Sequence, residues 1–135
     1  MKIVITDNRK IQQLQEQFSA AFPFLKLEFF SKPHKPGAGT AARLRKPVDK
    51  TIGECRRKTN RGHLNIDPDM TVAELEQRFR DTYGLNVQVF RKSGKVWLET
   101  TVTDGWTLDE QNRQGEMLSS LVLRPSDNNR YHTGD

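Results

Sequence analysis

Cys55 is the only thiol in the 135-residue chain, set between Glu54 and the pair Arg56-Arg57, with His63 eight residues further on. A thiolate is the attacking form of cysteine, and neighbouring guanidinium groups lower the thiol pKa. Cys55 with His34 or His63 as base is therefore the one nucleophilic arrangement these residue types offer. Nothing in the spacing makes the groups meet, and a free cysteine beside surface charge accounts for the same residues, so the chain is read as a non-enzyme with no catalytic residues. One Cys and three scattered histidines, at 34, 63 and 132, show no metal-ligand spacing. Pro36-Gly37-Ala38-Gly39-Thr40 lacks the downstream glycine and the Lys-Ser/Thr pair of a phosphate-binding loop. Neither a metal nor a cofactor is expected.

Charge is the stronger signal. Between Ser31 and Gly62 the chain carries ten Lys or Arg against two acids, a net +8, while the remaining 103 residues hold twelve basic and fifteen acidic side chains, or −3. The positive excess is local. Lys32, Lys35, Arg43, Arg45, Lys46, Arg56, Arg57, Lys58 and Arg61 are the candidate contacts to nucleic acid or another polyanion, because cations that neutralise phosphates release counterions. Using about half of the ten would give a log-affinity slope on log salt of roughly −4 to −5. The same composition also suits a solvated loop that keeps the chain soluble. Pro33, Pro36, Pro47 and several glycines prevent the stretch from building a core, and Pro33-His34-Lys35-Pro36 stiffens it. Thr51 to Lys58 has the make-up of a short helix anchored by Ile52. No aromatic residue lies in the stretch, so stacking on bases has to come from Phe30, Phe90 and Trp97, the candidate aromatic interaction face.

The elements that must position these groups follow from periodicity. Lys2 to Thr6 is a β-branched strand, and Asp7-Asn8 offers a turn and a helix cap. Ile11, Leu14, Phe18, Ala21 and Phe22 recur at helical spacing until Pro23, and Leu25, Leu27 and Phe29 then alternate with Lys26 and Glu28 as in a strand. After the basic stretch the pattern returns. Leu64 and Ile66 repeat Ile3 and Ile5 sixty-one positions later, and Val72, Leu75, Phe79 and Tyr83 repeat Ile11, Leu14, Phe18 and Phe22. Thr71 with Glu74 forms a capping box and Met70 can staple onto Leu75. Val87, Val89 and Phe90 then fall on Leu27, Phe29 and Phe30 after a one-residue deletion.

Two copies of strand-helix-strand predict an α+β fold of the ferredoxin-like split β-α-β kind (βαββαβ), a pseudo-duplication with both helices on one face of one antiparallel sheet, plus an added C-terminal strand and helix. A β-grasp-like fold is the alternative. Residues 1–123 form the single domain, residues 31–62 a basic inserted loop between its halves, and residues 124–135 a disordered tail. A Ser93-Gly94 turn would set Phe90 opposite Trp97 in a hairpin with Val96 to Val102, on the side away from the first two helices. Thr107 with Glu110 starts a third helix that runs to about Leu121, weakened by Gly115.

Composition places the chain among folded but polar proteins: 34% hydrophobic, 29% charged, mean hydropathy −0.77, with seven Phe and two Trp for packing. No apolar run approaches membrane-spanning length, no leader is apparent, and a lone cysteine points to no oxidising compartment, so a cytoplasmic location is expected, without a membrane partner. Phe29 to Lys35, Lys50 to Arg56 and Trp97 to Leu108 resemble blocks of small uncharacterised bacterial proteins, a likeness that implies no activity. Residues 62–111 also resemble β-grasp interaction modules that pair basic with acidic faces. Arg91-Lys92-Ser93-Gly94-Lys95 is basic where the acidic cluster of those modules begins, so their mode of pairing is not carried over. The first and third strands lack the stacking aromatics of an RNA-recognition motif. The function expected first is a non-catalytic binding module engaging nucleic acid or another polyanion through residues 31–62. A protein-interaction module using the Phe90/Trp97 face comes second, and a Cys55-dependent enzyme third.

Overall fold

Two halves of the chain build strand, helix, strand and a closing helix in the same order, with one further strand, β5, in the second. In the computed structural model, which describes residues 1–32, 44–56 and 61–123, the first half holds β1 (Lys2–Ile5), α1 (Ile11–Ala21), β2 (Leu25–Phe30) and α2 (Ile52–Cys55). The second half holds β3 (Gly62–Asn65), α3 (Val72–Tyr83), β4 (Asn86–Ser93), β5 (Val96–Glu99) and α4 (Leu108–Leu123). Antiparallel strands with helices packed on them make the fold α+β. No described helix is long and apolar enough to cross a membrane.

Local chemistry accounts for most boundaries. Thr71 Oγ1 accepts from the Glu74 N–H at 3.1 Å to open α3, and Gly84, in the left-handed conformation at φ 66°, closes it with its N–H on the Arg80 carbonyl. Thr51 opens α2, and Thr107 opens α4 through the Glu110 N–H at 3.1 Å. The Asp7-Asn8 pair does not cap α1 as expected. The Asn8 side chain accepts from the Thr6 hydroxyl and the Asp7 carboxylate from Arg56, so the helix starts at Lys10, whose N–H donates to Gln13 Oε1 at 2.8 Å.

The strands do not form the single sheet of the ferredoxin-like plan. Among the described residues β1 pairs only with β3, and a separate sheet runs β2-β4-β5, all antiparallel. Nor does one sheet wrap one helix, as a β-grasp would require. The physical reason lies at the outer edge of β2. There Gln15 Nε2 and Ser19 Oγ of α1 donate to the carbonyls of Leu27 and Leu25, at 2.7 and 2.9 Å, which leaves β3 no edge to join.

Register reveals how the halves relate. Ile3 stands opposite Leu64, its own counterpart in the repeat, and Glu28 stands opposite its counterpart Gln88, flanked by Leu27 with Val89 and Phe29 with Val87. Pairing centred on counterparts is what an internal two-fold axis produces. Backbone bonds extend the symmetry. Ile11 and Gln12 donate to Lys50 and Val48 while Ile52 and Gly53 donate to Arg9 and Asp7. In the other half Val72 and Ala73 donate to Trp106 and Asp104 while Leu108 and Asp109 donate to Met70 and Pro68. Thus α2 is the counterpart of α4. Likewise Ser31 N–H on the Leu44 carbonyl and Lys46 N–H on the Phe29 carbonyl set residues 44–46 against β2 where β5 lies against β4. The described part of the 31–62 stretch is therefore structural, not spare loop. Counterpart side chains fill one core: Ile11 with Val72, Leu14 with Leu75, Phe18 with Phe79, Phe22 with Tyr83, and Ile52 with Leu108, all buried. The Phe29 ring meets Phe79 edge-on at 6.0 Å.

The β4-β5 turn is Gly94-Lys95, not Ser93-Gly94. Gly94 sits at φ 63°, the first central position of a turn that matches strand twist and that a side chain resists. Register consequently moves by two, placing Lys92 opposite Trp97 and Phe90 opposite Glu99. The predicted strand to Val102 stops at Glu99, because the Thr100 hydroxyl turns in to the Val89 carbonyl at 2.8 Å. Gly115 does not break α4; a Cβ there would lie 2.8 Å from Phe24 Cβ, so the glycine lets helix and chain touch.

Candidate functional site

The outer face of the three-stranded sheet gathers the aromatic residues with cations. A shift of two preserves the side of the sheet on which a residue stands, so Phe90 and Trp97 remain on one face as diagonal neighbours. Phe30 joins them from β2. The Lys26 ammonium lies 5.6 Å from the Phe90 ring centre and 4.9 Å from that of Trp97, while the Arg45 guanidinium lies 5.9 Å from Phe30 and 5.7 Å from Phe90. Glu28 holds both cations, at 3.6 Å from Lys26 and 3.1 Å from Arg45. The rings of Phe30 and Phe90 are buried, at 4% and 7% exposure, and Trp97 is the open one at 36%. Stacking on this face is thus available at Trp97 and closed at the other two. Sequence reading missed Lys26 and Glu28. Their alternation with Leu25, Leu27 and Phe29 placed them on the polar side of β2, but not under the aromatic residues.

The predicted polyanion contacts have different fates. Lys32 is exposed, Arg45 lies on the aromatic face, Lys46 lines a cavity, and Arg61 is exposed beside Asp7. Arg56 is committed elsewhere. Its side chain is 0% exposed, with Nε and Nη2 donating to Asp7 Oδ1 at 3.0 and 2.7 Å and Nη1 to the Tyr83 carbonyl at 3.3 Å. That guanidinium ties the first half to the end of α3, and its burial keeps it from meeting a phosphate at the surface. Lys35, Arg43, Arg57 and Lys58 lie outside the described residues.

Cys55 lines the same cavity as Lys46, about 480 Å³ in volume, together with Ser31, Glu54, Arg56, Gly84 and Asn86. His63 is not in its wall, and His34 lies outside the described residues. Burial pushes the Cys55 thiol up, with Lys46 pulling it down, Glu54 adding to the rise and Lys50 opposing it. A thiol held in its neutral form is the opposite of an activated nucleophile. Among the described residues no group of three or more His, Cys, Asp or Glu is placed to hold a metal ion. Comparison with known proteins returns no matching family model, no matching curated protein and no matching solved structure.

Proposed function

We propose that the protein is a non-catalytic module that binds nucleic acid or a comparable polyanion through the basic 31–62 stretch and the adjoining outer face of the sheet. One observation carries the reading. The second half builds the counterpart segment, residues 91–123, with four basic and five acidic side chains, a net −1, where the first half has +8. The described counterparts, residues 48–53 and 104–109, make matching backbone bonds to the starts of α1 and α3, and those bonds do not depend on the charge of the side chains. Lys26, 4.9 Å from the open Trp97 ring, and Lys92, directly opposite Trp97, support the reading by placing cations beside that ring, the combination that holds a single strand by its phosphates and one base. The test is anisotropy of labelled single- and double-stranded oligonucleotides at stepped salt. Four to six phosphate contacts give a slope between about −3 and −5. Affinity that does not change between low and moderate salt would remove the proposal.

A second reading, a protein-interaction module on the Phe90/Trp97 face, draws on β5. Val96, Trp97 and Leu98 are all exposed, and no described strand pairs with the far edge of β5. Exposed apolar edges invite added strands. This reading predicts a partner whose binding resists salt and is lost in Trp97→Ala. A folded Trp97→Ala protein that kept every captured partner would end it.

A further inference from the structure

The two-fold relation gives each place in one half a counterpart in the other, and at one such pair of places the halves differ. In the second half the place is filled. Arg91 Nη1 donates to Gln111 Oε1 at 2.9 Å, Asn112 Oδ1 accepts from the Phe24 N–H at 2.9 Å, and α4 runs on past Gly115 against Phe24. In the first half Ser31 stands for Arg91, Cys55 for Gln111 and Arg56 for Asn112. Arg56 leaves the helix for an extended conformation, so α2 ends at Cys55. The shorter side chains and the truncated helix leave open the cavity of about 480 Å³. Its size suits a small molecule or one unit of a polymer.

The lining specifies the charge of an occupant. The Lys46 ammonium has no carboxylate partner among the described residues, and the Ser31 hydroxyl and Asn86 amide make no side-chain hydrogen bond there. All three are donors. Arg56 is neutralised by Asp7, and Glu54 at the rim by Lys50 at 3.7 Å, so Lys46 leaves the cavity one positive charge in excess. We infer that this cavity is an anion site that takes a phosphoryl group carried on a nucleotide-sized unit, with Lys46, Ser31 and Asn86 as its donors. The inference rests on the polyanion reading and adds a defined pocket to it. The phosphoryl group comes either from a free mononucleotide or from a unit of a polynucleotide.

Cys55 reports occupancy, being the only thiol and in the cavity wall. The experiment measures the rate of its alkylation by iodoacetamide at fixed pH, with no addition and with inorganic phosphate, adenosine monophosphate or an oligothymidylate of twelve residues. Anisotropy of the same oligonucleotide is read in parallel. At about ten times its Kd, an occupant slows the reaction about tenfold by simple mass action. Protection by the mononucleotide identifies a small-molecule site, and protection by the oligonucleotide alone identifies a polymer unit; both support the inference. Lys46→Gln should raise the concentration for half-protection about tenfold, the loss of a charge-assisted donor. Ser31→Arg, which installs the side chain the other half uses, should abolish protection. Circular dichroism of both variants checks that they fold, and either folded variant decides the point. Protection by none of the three additives, or wild-type protection in a folded variant, overturns the inference. Oligonucleotide binding without protection overturns it while leaving the polyanion module standing. Protection by phosphate or mononucleotide without oligonucleotide binding supports the cavity and removes the module.

Discussion

Removing Asp7 should cost more stability than removing Arg56, although either change breaks the same ion pair. The guanidinium is 0% exposed and the carboxylate 46% exposed, joined by contacts of 3.0 and 2.7 Å. In Asp7→Ala the buried cation keeps, among the described residues, the Tyr83 carbonyl at 3.3 Å. An uncompensated buried charge costs about 3–5 kcal/mol, and access of water through the half-open Asp7 position reduces that to about 2–4. In Arg56→Met the buried stem is largely replaced in kind and Asp7 turns to water, so the loss is that of charged hydrogen bonds, about 1–2 kcal/mol. Urea unfolding followed by tryptophan fluorescence measures both, provided the m-value is unchanged. An Arg56→Met cost equal to or above that of Asp7→Ala would refute the placement of the charge. The outcome also bears on function, because a charge reversal at Arg56 that abolished binding would report a loosened fold before it reported a missing bond to phosphate.

Three further perturbations have worked signs. Gly84→Ala forces a side chain into the left-handed cap at φ 66° and should cost about 1–2 kcal/mol in the same unfolding assay. Gly115→Ala gains helix propensity of about 1 kcal/mol but sets its Cβ against Phe24; overpacking of about 1–3 kcal/mol should win, and a raised Tm would sink that account. Burial raises the Cys55 pKa, with Glu54 adding and Lys46 and Lys50 opposing, so the folded state holds the proton more tightly than the unfolded chain. Stability from this source is complete below the unfolded thiol pKa, about 8.5, and is lost as pH rises through the higher folded value. Cys55→Ser should therefore flatten the fall in stability above about pH 8.5, and iodoacetamide should modify native Cys55 more slowly than free cysteine.

What the sequence displays is what depends on neighbours in the chain. Ile11, Leu14 and Phe18 announce a buried helix face by spacing alone, Thr71 and Gly84 announce the ends of α3, and the sixty-one-residue repeat is visible because Leu64 and Ile66 must point inward as Ile3 and Ile5 do. Strand partners depend on which edges remain open, and that was decided by Gln15 and Ser19 covering β2 from a helix. Both ends of the longer repeat were also in view, as Thr51-Ile52-Gly53-Glu54 and Thr107-Leu108-Asp109-Glu110. Four residues with two shared identities are too weak a signal until the backbone bonds to Arg9 and Met70 align them. The Asp7-Arg56 pair, forty-nine positions apart, leaves no periodic trace at all.

Because the halves share one set of structural demands, their differences separate residues the fold needs from residues it merely carries. Where the second half departs, packing uses the change: Arg91 meets Gln111, and Gly115 admits Phe24. Where the first half departs, Arg56 and Arg45 are used, on Asp7 and Glu28, but Lys32, Lys46 and Arg61 make no ion pair among the described residues. Such charges contribute nothing to folding that glutamine would not. The triple variant Lys32→Gln, Lys46→Gln, Arg61→Gln should stay within about 0.5 kcal/mol of the parent per site in urea. It should also lessen the magnitude of the single-strand salt slope by about 2, near 0.7 for each phosphate no longer neutralised. A variant that unfolds shows the charges to be structural, and one that folds and binds with an unchanged slope shows that the charge excess in the first half meets no polyanion through these residues.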